Sequence, residues 1–367
     1  MPRSIFPKCL LAIAKSARML TRMCTDIGCD VVAIDCYTDA DTLDMARQVY
    51  QTTSLAWNHV SEAVHAALRE HAIDGVIYGS GFEAHPETLR HLQGRKRVFG
   101  NSAEVFQNTQ NKLYFFEMLD KLGISYPAVD FAAKSPGDGW IFKPWHSHGG
   151  IGISRNQASA GVDGYWQRFI DGEAMSVLFA AHAQHIEVIG FNRQWCVEPS
   201  PGHGFVFGGI SSQAELPATT RHQVTEAANK LAAAYRLRGL NTLDFMLDAK
   251  GIHLLEINPR ISASAQLYGK ELLLRHLATI FESADICAGK ISTEPRAYQT
   301  IYATKAQKIE SHVIWPDWAV DRPVAGSIVG VGQPICSIIA GGKNSRQVAE
   351  QLGQRQAILQ TLLESGY

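Results

Sequence analysis

The 367-residue sequence has no excess charge of either sign, no long hydrophobic run and no paired-cysteine motif. Its 34 Lys and Arg residues nearly balance its 35 Asp and Glu residues, leaving a net charge of −1. No overall field would therefore gather nucleic acid or an anionic membrane. No stretch approaches the ~20 apolar residues that a membrane-spanning helix needs. These absences exclude a basic DNA-coating protein and indicate a globular chain with neither nucleic acid nor membrane as partner.

The seven cysteines are odd in number and form no CxxC pair, which argues against a zinc ribbon and a complete disulfide framework. We therefore expect reduced thiols. Near the amino terminus, Lys15 and Arg18 interrupt the apolar residues that follow Lys8, so the apolar core is too short for a signal peptide. The expected location is cytoplasmic.

Short apolar strands alternate with helical patterns over the first hundred residues. Strands are predicted at residues 9–14, 30–36, 52–56 and 75–80, with a helix between each pair. This alternation is typical of an α/β fold with a parallel, doubly wound sheet. Ligands of such sheets bind at the carboxyl ends of the strands. The residues there are Ser16 with Arg18, Asp35 with Tyr37, and residues 78–83. Two further acids, Asp39 and Asp41, are expected in a solvated turn.

The pattern changes after residue 102. One or two helices are predicted over residues 102–123, followed by a strand at 140–145 and a glycine-rich segment. A strand-rich block then runs to about residue 213, and a helix follows over residues 218–236. Beyond it, two strands form a pair at 243–248 and 252–258, and the chain closes with short strands and a helix near 345–363.

The strand pair carries the strongest chemical signal. Asp244 lies on its first strand, and Glu256 and Asn258 lie two residues apart on the second, so that the last two share a face. Oxygen ligands of this kind hold Mg²⁺, with the remaining positions left to water and phosphate. A solvated strand face explains Asp244 alone, but it explains less well a charged ending to an otherwise apolar strand.

Two lysines precede this pair in suggestive surroundings. Lys112 follows a polar segment, and Lys143 stands between bulky apolar residues of a predicted strand, where it needs an anionic partner such as a phosphate. Snorkelling of each lysine to the surface is the alternative. Directly after Lys143, residues 147–152 form a glycine-rich loop whose amides can approach phosphate oxygens.

In this order, the elements resemble the ATP-grasp superfamily. The matching motifs are Asn111-Lys112, Phe142-Lys143-Pro144, the glycine-rich loop, Gln167-Arg168-Phe169-Ile170-Asp171-Gly172, Asp244, and Glu256-Ile257-Asn258-Pro259-Arg260. The resemblance covers about residues 1–290, and the carboxyl-terminal segment looks similar to that of biotin-carboxylase-like members. It implies an N-terminal doubly wound parallel sheet, a small lid subdomain and an antiparallel-sheet domain for ATP and Mg²⁺. The implied division is 1–104, 105–295 with a lid at about 124–168, and a β-rich segment with a final helix at 296–367.

The resemblance also assigns roles to individual residues. It implies that Lys112 and Lys143 contact ATP phosphates, that Asp244, Glu256 and Asn258 hold Mg²⁺ or Mn²⁺, and that Arg260 and Lys143 are catalytic. The loop would close over the phosphates through Ser147, Gly149, Gly150 and Gly152. The adenine would meet the backbone of Gln167, Phe169 and Ile170, and Glu173 is the candidate for the ribose hydroxyls. Relatives often carry Glu where Arg168 stands, which leaves backbone recognition intact.

Residues 79–84 fit the dinucleotide pattern GxGxxA. A nicotinamide site is therefore an alternative interpretation of this loop. The pattern does not follow the first strand and lacks the acidic residue expected about 20 positions later. The resemblance instead places the loop against the ATP domain, where Ser80, Glu83 and Arg260 would contact the second substrate.

The implied activity is that of an ATP-dependent ligase, which activates a carboxylate as an acyl phosphate and joins it to an amine or thiol, releasing ADP and phosphate. Residues 78–83 and 98–101 are similar to a branch associated with one-carbon carrier cofactors. The alternatives are a bicarbonate-activating carboxylase of the biotin-carboxylase type and a nucleotide-binding module without catalysis. The expected partners are small-molecule carboxylate and amine substrates, and a homodimer is the candidate assembly.

Overall fold

The computed structural model describes residues 6–132, 137–156, 161–183, 185–281 and 289–364. Of the seven cysteines, Cys287 lies outside the described residues and the other six are free thiols. Among the helices of the described ranges, none is both long and apolar enough to cross a membrane.

The first sheet has five parallel strands in the order β3-β2-β1-β4-β5. They are β1 (Cys9–Ala14), β2 (Asp30–Asp35), β3 (Gln48–Gln51), β4 (Gly75–Tyr78) and β5 (Val98–Phe99). The connecting helices are α1 (Arg18–Asp26), α2 (Ala40–Met45), α3 (Trp57–Glu70) and α4 (Pro86–Gln93), with a 3₁₀ helix at Phe82–Ala84. The predicted doubly wound sheet is confirmed. Its third strand, however, lies at Gln48–Gln51 and not at 52–56, because this short strand is partly exposed and contains no apolar run.

Every residue of β1 is buried, because both faces of the sheet are covered. Leu10 and Ala12 belong to a core that includes Leu240 and Leu272 of the later sheet and helix. The alternate residues, Cys9, Leu11 and Ile13, pack on the other face with residues of α3 and α4. One face of the parallel sheet therefore joins it to the rest of the molecule.

Two helices follow, α5 (Ala103–Gln110) and α6 (Lys112–Leu122), and a single residue separates them. Asn111 ends α5 and also caps α6, because its side-chain oxygen accepts a hydrogen bond from the amide of Tyr114 at 3.1 Å. The left-handed conformation of Gly123 (φ 66°) ends α6. Lys112 is thereby fixed as the first residue of a helix.

A small four-stranded sheet comes next, in the order β6-β9-β7-β8, and all its strand pairs are antiparallel. Its members are β6 (Val129–Asp130), β7 (Trp140–Pro144), β8 (Ser154–Arg155) and β9 (Gly164–Arg168). The glycine-rich segment connects β7 to β8. This sheet falls in the region predicted as a lid.

The third sheet has eight antiparallel strands in the order β14-β13-β10-β11-β12-β15-β19-β17. They are β10 (Glu173–Ala181), β11 (Ile186–Val197), β12 (Val206–Ser211), β13 (Gly239–Asp248), β14 (Gly251–Asn258), β15 (Arg296–Tyr302), β17 (Ala319–Val320) and β19 (Pro334–Gly341). The short pair β16 (Gln307–Lys308) and β18 (Ile328–Val329) stands apart. Three α-helices and a second 3₁₀ helix complete the described chain: α7 (Ala218–Tyr235), α8 (Leu272–Phe281), α9 (Ser345–Glu364) and the 3₁₀ helix at Ala263–Leu267. Strands from both sides of residue 296 share this sheet, and the proposed domain boundaries stay a prediction.

Candidate active site

The strand pair β13–β14 brings the three predicted metal ligands together. Asp244 lies opposite Glu256 in the antiparallel register, and a bulge follows Asp244. Asn258, the last residue of β14, donates from Nδ2 to Asp244 Oδ2 at 2.9 Å. Gln194 on β11 donates from Nε2 to the other oxygen of Asp244 at 3.0 Å. Two carboxylates and an amide therefore meet on one face of the sheet.

Both predicted lysines reach this group of side chains. Lys112 is nearly buried, and its Nζ lies 3.2 Å from Glu256 Oε2. Lys143, on β7 of the small sheet, is half-buried and donates from Nζ to Gln167 Oε1 at 3.3 Å. Lys112 on α6 thus contacts Glu256 directly, whereas Lys143 on the small sheet acts on Glu256 through its charge.

The four ionisable groups influence one another strongly. Desolvation raises the pKa of Asp244 to about 7, and the negative charge of Glu256 adds to the shift. Although desolvation also acts on Glu256, the charges of Lys112 and Lys143 hold its pKa below the ordinary value. Desolvation lowers the pKa of Lys143, against the opposing attraction of Glu256. The charges of Lys143 and Arg260 act on Asp244 as well, but they do not offset its desolvation and the repulsion of Glu256, and under this electrostatic condition a bound cation is favourable.

Arg260 stands just beyond β14 and connects it to the parallel sheet. Its Nε donates to Glu83 Oε1 at 2.7 Å, and its Nη2 donates to Asn258 Oδ1 at 3.0 Å. Glu83 is buried, and its second oxygen accepts from the amide of Gly81 at 2.7 Å. The resemblance places Glu83 against the second substrate, and the structure instead pairs it with Arg260. Ser80 is half-buried at the same edge, and its carbonyl accepts from the amide of Lys15 at 2.9 Å.

The glycine-rich loop folds back towards β12. Gly149, Gly150 and Gly152 have φ values of 58°, 75° and 79°, a region that favours glycine. The carbonyl of Gly149 accepts from the amide of Phe207 at 2.9 Å, and a Cβ on Gly150 would lie 1.8 Å from the carbonyl oxygen of Phe205. Inside the loop, Ser147 Oγ donates to the carbonyl of Ile151 at 2.6 Å. The loop is therefore held against the large sheet by its backbone.

The predicted adenine segment leaves β9 at the junction of the two antiparallel sheets. The amide of Arg168 donates to Ala128 and that of Phe169 to Gly139, at 2.7 and 2.9 Å, so both amides are engaged within the small sheet. Gln167 is buried, and its Nε2 has no hydrogen-bond partner among the described residues. The Arg155 guanidinium lies 3.9 Å from the centre of the Phe169 ring.

Two further residues complete this segment. Ile170 is half-buried after β9. Glu173, the predicted ribose ligand, opens β10 as an exposed residue and forms an ion pair with Arg193 at 2.8 Å.

The donor set fits a hard cation such as Mg²⁺. Within the described residues, no group of three or more His, Cys, Asp or Glu side chains is arranged to hold a metal. Asp244, Glu256 and Asn258 offer two carboxylates and an amide oxygen, and Mg²⁺ commonly takes one or two carboxylates and leaves other positions to water and phosphate. A cation held there would also offset the repulsion between the two carboxylates, which adds to the desolvation that raises the pKa of Asp244.

The expectation that Asp39 and Asp41 lie in a solvated turn is wrong. Both are buried, and residues 321 and 322 pack against Asp41. Asp41 accepts hydrogen bonds from the amides of Asp321 and Arg322, both at 3.0 Å. Asp39 accepts from Ser16 Oγ at 3.0 Å. These acids help to join the parallel sheet to the carboxyl-terminal strands.

Three polar residues to which the sequence assigns no individual role hold the site residues in place. Asn101 donates from Nδ2 to the carbonyl of Pro259 at 3.0 Å, and Tyr78 Oη lies 3.1 Å from the same oxygen. This fixes the backbone directly before Arg260. Gln194 holds Asp244, as described above, and only pairing of β11 beside β10 brings it there. Tyr78 and Asn101 lie in the segments noted for resemblance, whereas no pattern in the sequence marks Gln194.

Comparisons with known proteins bear on the middle of the chain and on the whole fold. Residues 109–264 match the family model of the ATP-grasp domain. An uncharacterised protein of Methanocaldococcus jannaschii is 22% identical over 265 residues, which cover 68% of this chain and 65% of that protein. The match therefore spans slightly less than two thirds of the relative's length.

Two solved structures resemble the chain over nearly its full length. The biotin carboxylase domain dimer of the Hydrogenobacter thermophilus 2-oxoglutarate carboxylase, in complex with MgADP, ADP and bicarbonate, has a TM-score of 0.73 at 14% identity, covering 94% of this chain and 88% of that one. The N5-carboxyaminoimidazole ribonucleotide synthetase from Thermus thermophilus has a TM-score of 0.69 at 14% identity, covering 94% and 96%. These likenesses confirm the predicted fold.

Proposed function

We propose that this protein, whose residues 109–264 match the family model of the ATP-grasp domain, is an ATP-dependent ligase that activates a carboxylate as an acyl phosphate and joins it to an amine. The observation that carries the proposal is the convergence of Lys112, Lys143 and Arg260 on Asp244, Glu256 and Asn258. An enzyme that transfers a phosphoryl group needs this combination of positive side chains and oxygen ligands for a metal.

ATP and Mg²⁺ are the proposed cofactors. Lys112 and Lys143 would contact the phosphates, and the glycine-rich loop would cover them through Ser147, Gly149, Gly150 and Gly152. The unpartnered Nε2 of Gln167 and the half-buried Ile170 support an adenine position at the junction of the two sheets, with Glu173 towards the ribose. Asp244, Glu256 and Asn258 would hold Mg²⁺ or Mn²⁺, which supplies charge neutralisation for the phosphates when bound. The similar biotin carboxylase domain was solved with MgADP, which supports this assignment.

The proposed reaction has two steps. A carboxylate oxygen of the acid attacks the γ-phosphorus of ATP, an O–P bond forms, and the bond to the bridging oxygen breaks to release ADP. The amine nitrogen then attacks the carbonyl carbon of the acyl phosphate, a C–N bond forms, the C–O bond to phosphate breaks, and the nitrogen loses a proton. The protein positions these groups and compensates their charge.

Arg260 would stabilise the phosphoryl group during transfer. Glu83 and Asn258 hold two of its nitrogens, so the guanidinium is oriented before substrate arrives. An interaction that is organised in advance costs no rearrangement during the reaction. The glycine-rich loop, held against β12, would keep water from the acyl phosphate.

A bicarbonate-activating carboxylase is the second candidate. It is favoured by the similarity to a biotin carboxylase domain solved with bicarbonate. In that reaction bicarbonate would take the place of the organic acid, and Arg260 and the lysines would keep the roles given above. A requirement of ADP release for bicarbonate separates the two candidates.

Narrower proposals concern the setting of the enzyme. Synthesis of a one-carbon carrier cofactor is the proposed role, and the archaeal relative is compatible with it. A homodimer is the proposed assembly, supported by the dimer of the biotin carboxylase domain, and light scattering after size exclusion tests it. The proposed location is cytoplasmic.

A screen for ADP release tests the activity. The purified protein receives Mg-ATP with pools of acids and amines, with and without bicarbonate, and mass spectrometry identifies any new product. We expect release of ADP and phosphate that depends on one acid and one amine. ATP binding without ADP release under every condition would contradict the ligase and favour a nucleotide-binding module without catalysis.

A further inference from the structure

Three positive side chains stand at or near the carboxyl edge of the parallel sheet. Lys15 follows β1 directly, and Arg18 opens α1 three residues later. Arg260 comes from the end of β14 and meets this edge through Glu83. This edge is where the ligands of parallel sheets bind, and it faces the site proposed for phosphoryl transfer.

Two of the three are already paired with carboxylates. Arg18 is buried, and its Nε donates to Asp321 Oδ1 at 2.8 Å, while its Nη2 donates to Gln266. Arg260 forms the ion pair with Glu83 at 2.7 Å. The charge of each arginine is therefore compensated inside the protein.

Lys15 differs from both arginines. Throughout the part of the chain that the structure describes, no carboxylate lies within ion-pair distance of its amino group. Its Nζ instead lies 3.0 Å from His148 Nε2 and 6.0 Å from the centre of the Tyr37 ring. A half-buried lysine whose amino group contacts a ring nitrogen and the face of an aromatic ring, with no carboxylate of the described residues beside it, is available to an external anion.

His148 links Lys15 to the reaction centre. It belongs to the glycine-rich loop, directly between Ser147 and Gly149. Burial lowers its pKa, and the positive charges of Lys15 and Arg260 act in the same direction, while Glu83 opposes them. The imidazole is thus neutral in this contact and can accept a hydrogen bond from the ammonium group. The charges of Glu83 and Arg260 thus act on the same imidazole that contacts Lys15.

We propose that Lys15 binds the carboxylate of the acid that the enzyme activates, and that His148 is a positioning residue that holds Lys15 towards it. The inference rests on the ligase function proposed above. Two anions, the acid and the triphosphate, must approach each other for the first step, and Lys15 compensates the charge of the first while Lys112 and Lys143 compensate that of the second. Because His148 belongs to the glycine-rich loop, its contact with Lys15 would make the position of the bound acid depend on the position of this loop.

Steady-state kinetics of ADP release test the role of Lys15. With the acid that the screen identifies, or with bicarbonate if that is the activated carboxylate, Lys15→Gln should raise the KM for the carboxylate by about 10- to 100-fold, the range for a lost hydrogen bond to a charged group. The KM for ATP should not change, and Lys15→Arg should recover part of the loss. Lys8→Ala, at an exposed position directly before β1, is the control. An unchanged KM for the carboxylate in Lys15→Gln would overturn the proposal even if the enzyme is an active ligase.

The role of His148 has its own readout. Gln can accept a hydrogen bond from Lys15 as His does, whereas Ala cannot. His148→Ala should therefore raise the KM for the carboxylate and leave the KM for ATP unchanged, and His148→Gln should restore it. Equal effects of both substitutions on both KM values would indicate a structural role for the loop residue and overturn the positioning role.

A measurement on the wild-type chain separates this proposal from the ligase function. Lys15 is acetylated with an amine-reactive ester in the presence of MgADP and of acetate, succinate or bicarbonate, and peptide mass spectrometry compares Lys15 with the exposed Lys8. Protection of Lys15 alone by at least one of these carboxylates supports the assignment, even if the screen finds no turnover and the ligase proposal fails. No protection by any of them, or equal protection of both lysines, would overturn it.

Discussion

Arg260 and Glu83 are 177 residues apart in the chain, and they form an ion pair in which Nε lies 2.7 Å from Oε1. Only 11% of the arginine side chain and 5% of the glutamate side chain are exposed. This contact fixes the guanidinium at the end of β14 to the carboxyl edge of the parallel sheet. The arginine proposed for phosphoryl transfer therefore takes its orientation from a different part of the fold.

Removing Glu83 should affect stability and substrate use together. Glu83→Ala leaves a nearly buried guanidinium unpaired, and loss of one partner of a buried pair costs about 3–5 kcal/mol. We expect a reduction of about 3 kcal/mol in the free energy of unfolding, measured with urea, and a larger effect on the second substrate than on ATP affinity. Glu83→Gln should retain more stability, because its amide oxygen can still accept from Arg260. Glu87→Ala, at an exposed position, is the control. If Glu83→Ala weakened the binding of ATP and of the second substrate equally, the expected place of Glu83 next to the second substrate would be contradicted.

Lys143 is predicted to be essential for ADP formation. Its charge compensates Glu256 and would meet the phosphates, so Lys143→Ala should reduce Mg²⁺-dependent turnover by about 100- to 1,000-fold or more, the scale for loss of one group that stabilises a transition state. Asn258→Ala should have a similar effect. Circular dichroism should show an intact fold, and exposed Lys121→Ala should keep its activity. Normal turnover in both site variants would refute the assignment.

Adjacent glycines of the loop allow a matched comparison. Both Gly149 and Gly150 have positive φ values, but an added Cβ has no close neighbour at Gly149, where the nearest atom is 4.0 Å away, and meets a carbonyl oxygen at 1.8 Å at Gly150. Gly150→Ala should displace the loop from β12 and raise the Kd for ATP severalfold more than Gly149→Ala. Isothermal titration with ATP checks the order. If both substitutions weaken ATP binding equally, their effect comes from backbone strain at positive φ rather than from the contact with Phe205.

Stability should depend on pH through Asp39. Desolvation, with Asp321 and Asp35 nearby, raises the pKa of this carboxyl from 3.8 to about 8. Between these values the folded state holds a proton that the unfolded chain has lost, so the contribution of Asp39 to stability decreases as pH rises. Asp39→Asn, which cannot ionise, should therefore gain stability relative to the wild type between about pH 5 and about pH 8.

Urea unfolding at a series of pH values measures this difference. Exposed Asp317→Asn serves as the control. A gap between wild type and Asp39→Asn that stays constant with pH would show that Asp39 is ionised in the folded protein.

The sequence predicts best what is local. A charged residue in an apolar strand is visible in the chain itself, which is why the sequence alone identifies Lys143, Asp244 and Glu256 as candidates. The parallel sheet is predictable for the same reason, because its central strands are buried on both faces. The half-exposed β3 lacks this signal, and the apolar pattern places it a few residues too late.

What the sequence could not predict depends on contacts between distant segments. The sequence around Asp41 predicts a solvated residue, because the contact that Asp41 makes with Asp321, 280 positions later, is visible only in the folded structure. Gln194 sits among ordinary strand residues, and only the order of the strands brings it to Asp244. Lys15 appears in the sequence merely as an interruption of an apolar run, and its environment is set by His148, 133 residues away.

The eight-stranded sheet continues across residue 296, where Gly209 and Ile210 of β12 pair with Gln299 and Tyr298 of β15. A fragment ending before β15 would leave the outer backbone groups of β12 without partners, and such an edge readily pairs with a second chain. By covering the edge of β12, the carboxyl-terminal strands therefore protect the region at residues 109–264 against aggregation. Expression of the family-matched region alone would yield insoluble protein, whereas a chain that retains β15 and β19 would keep that edge closed.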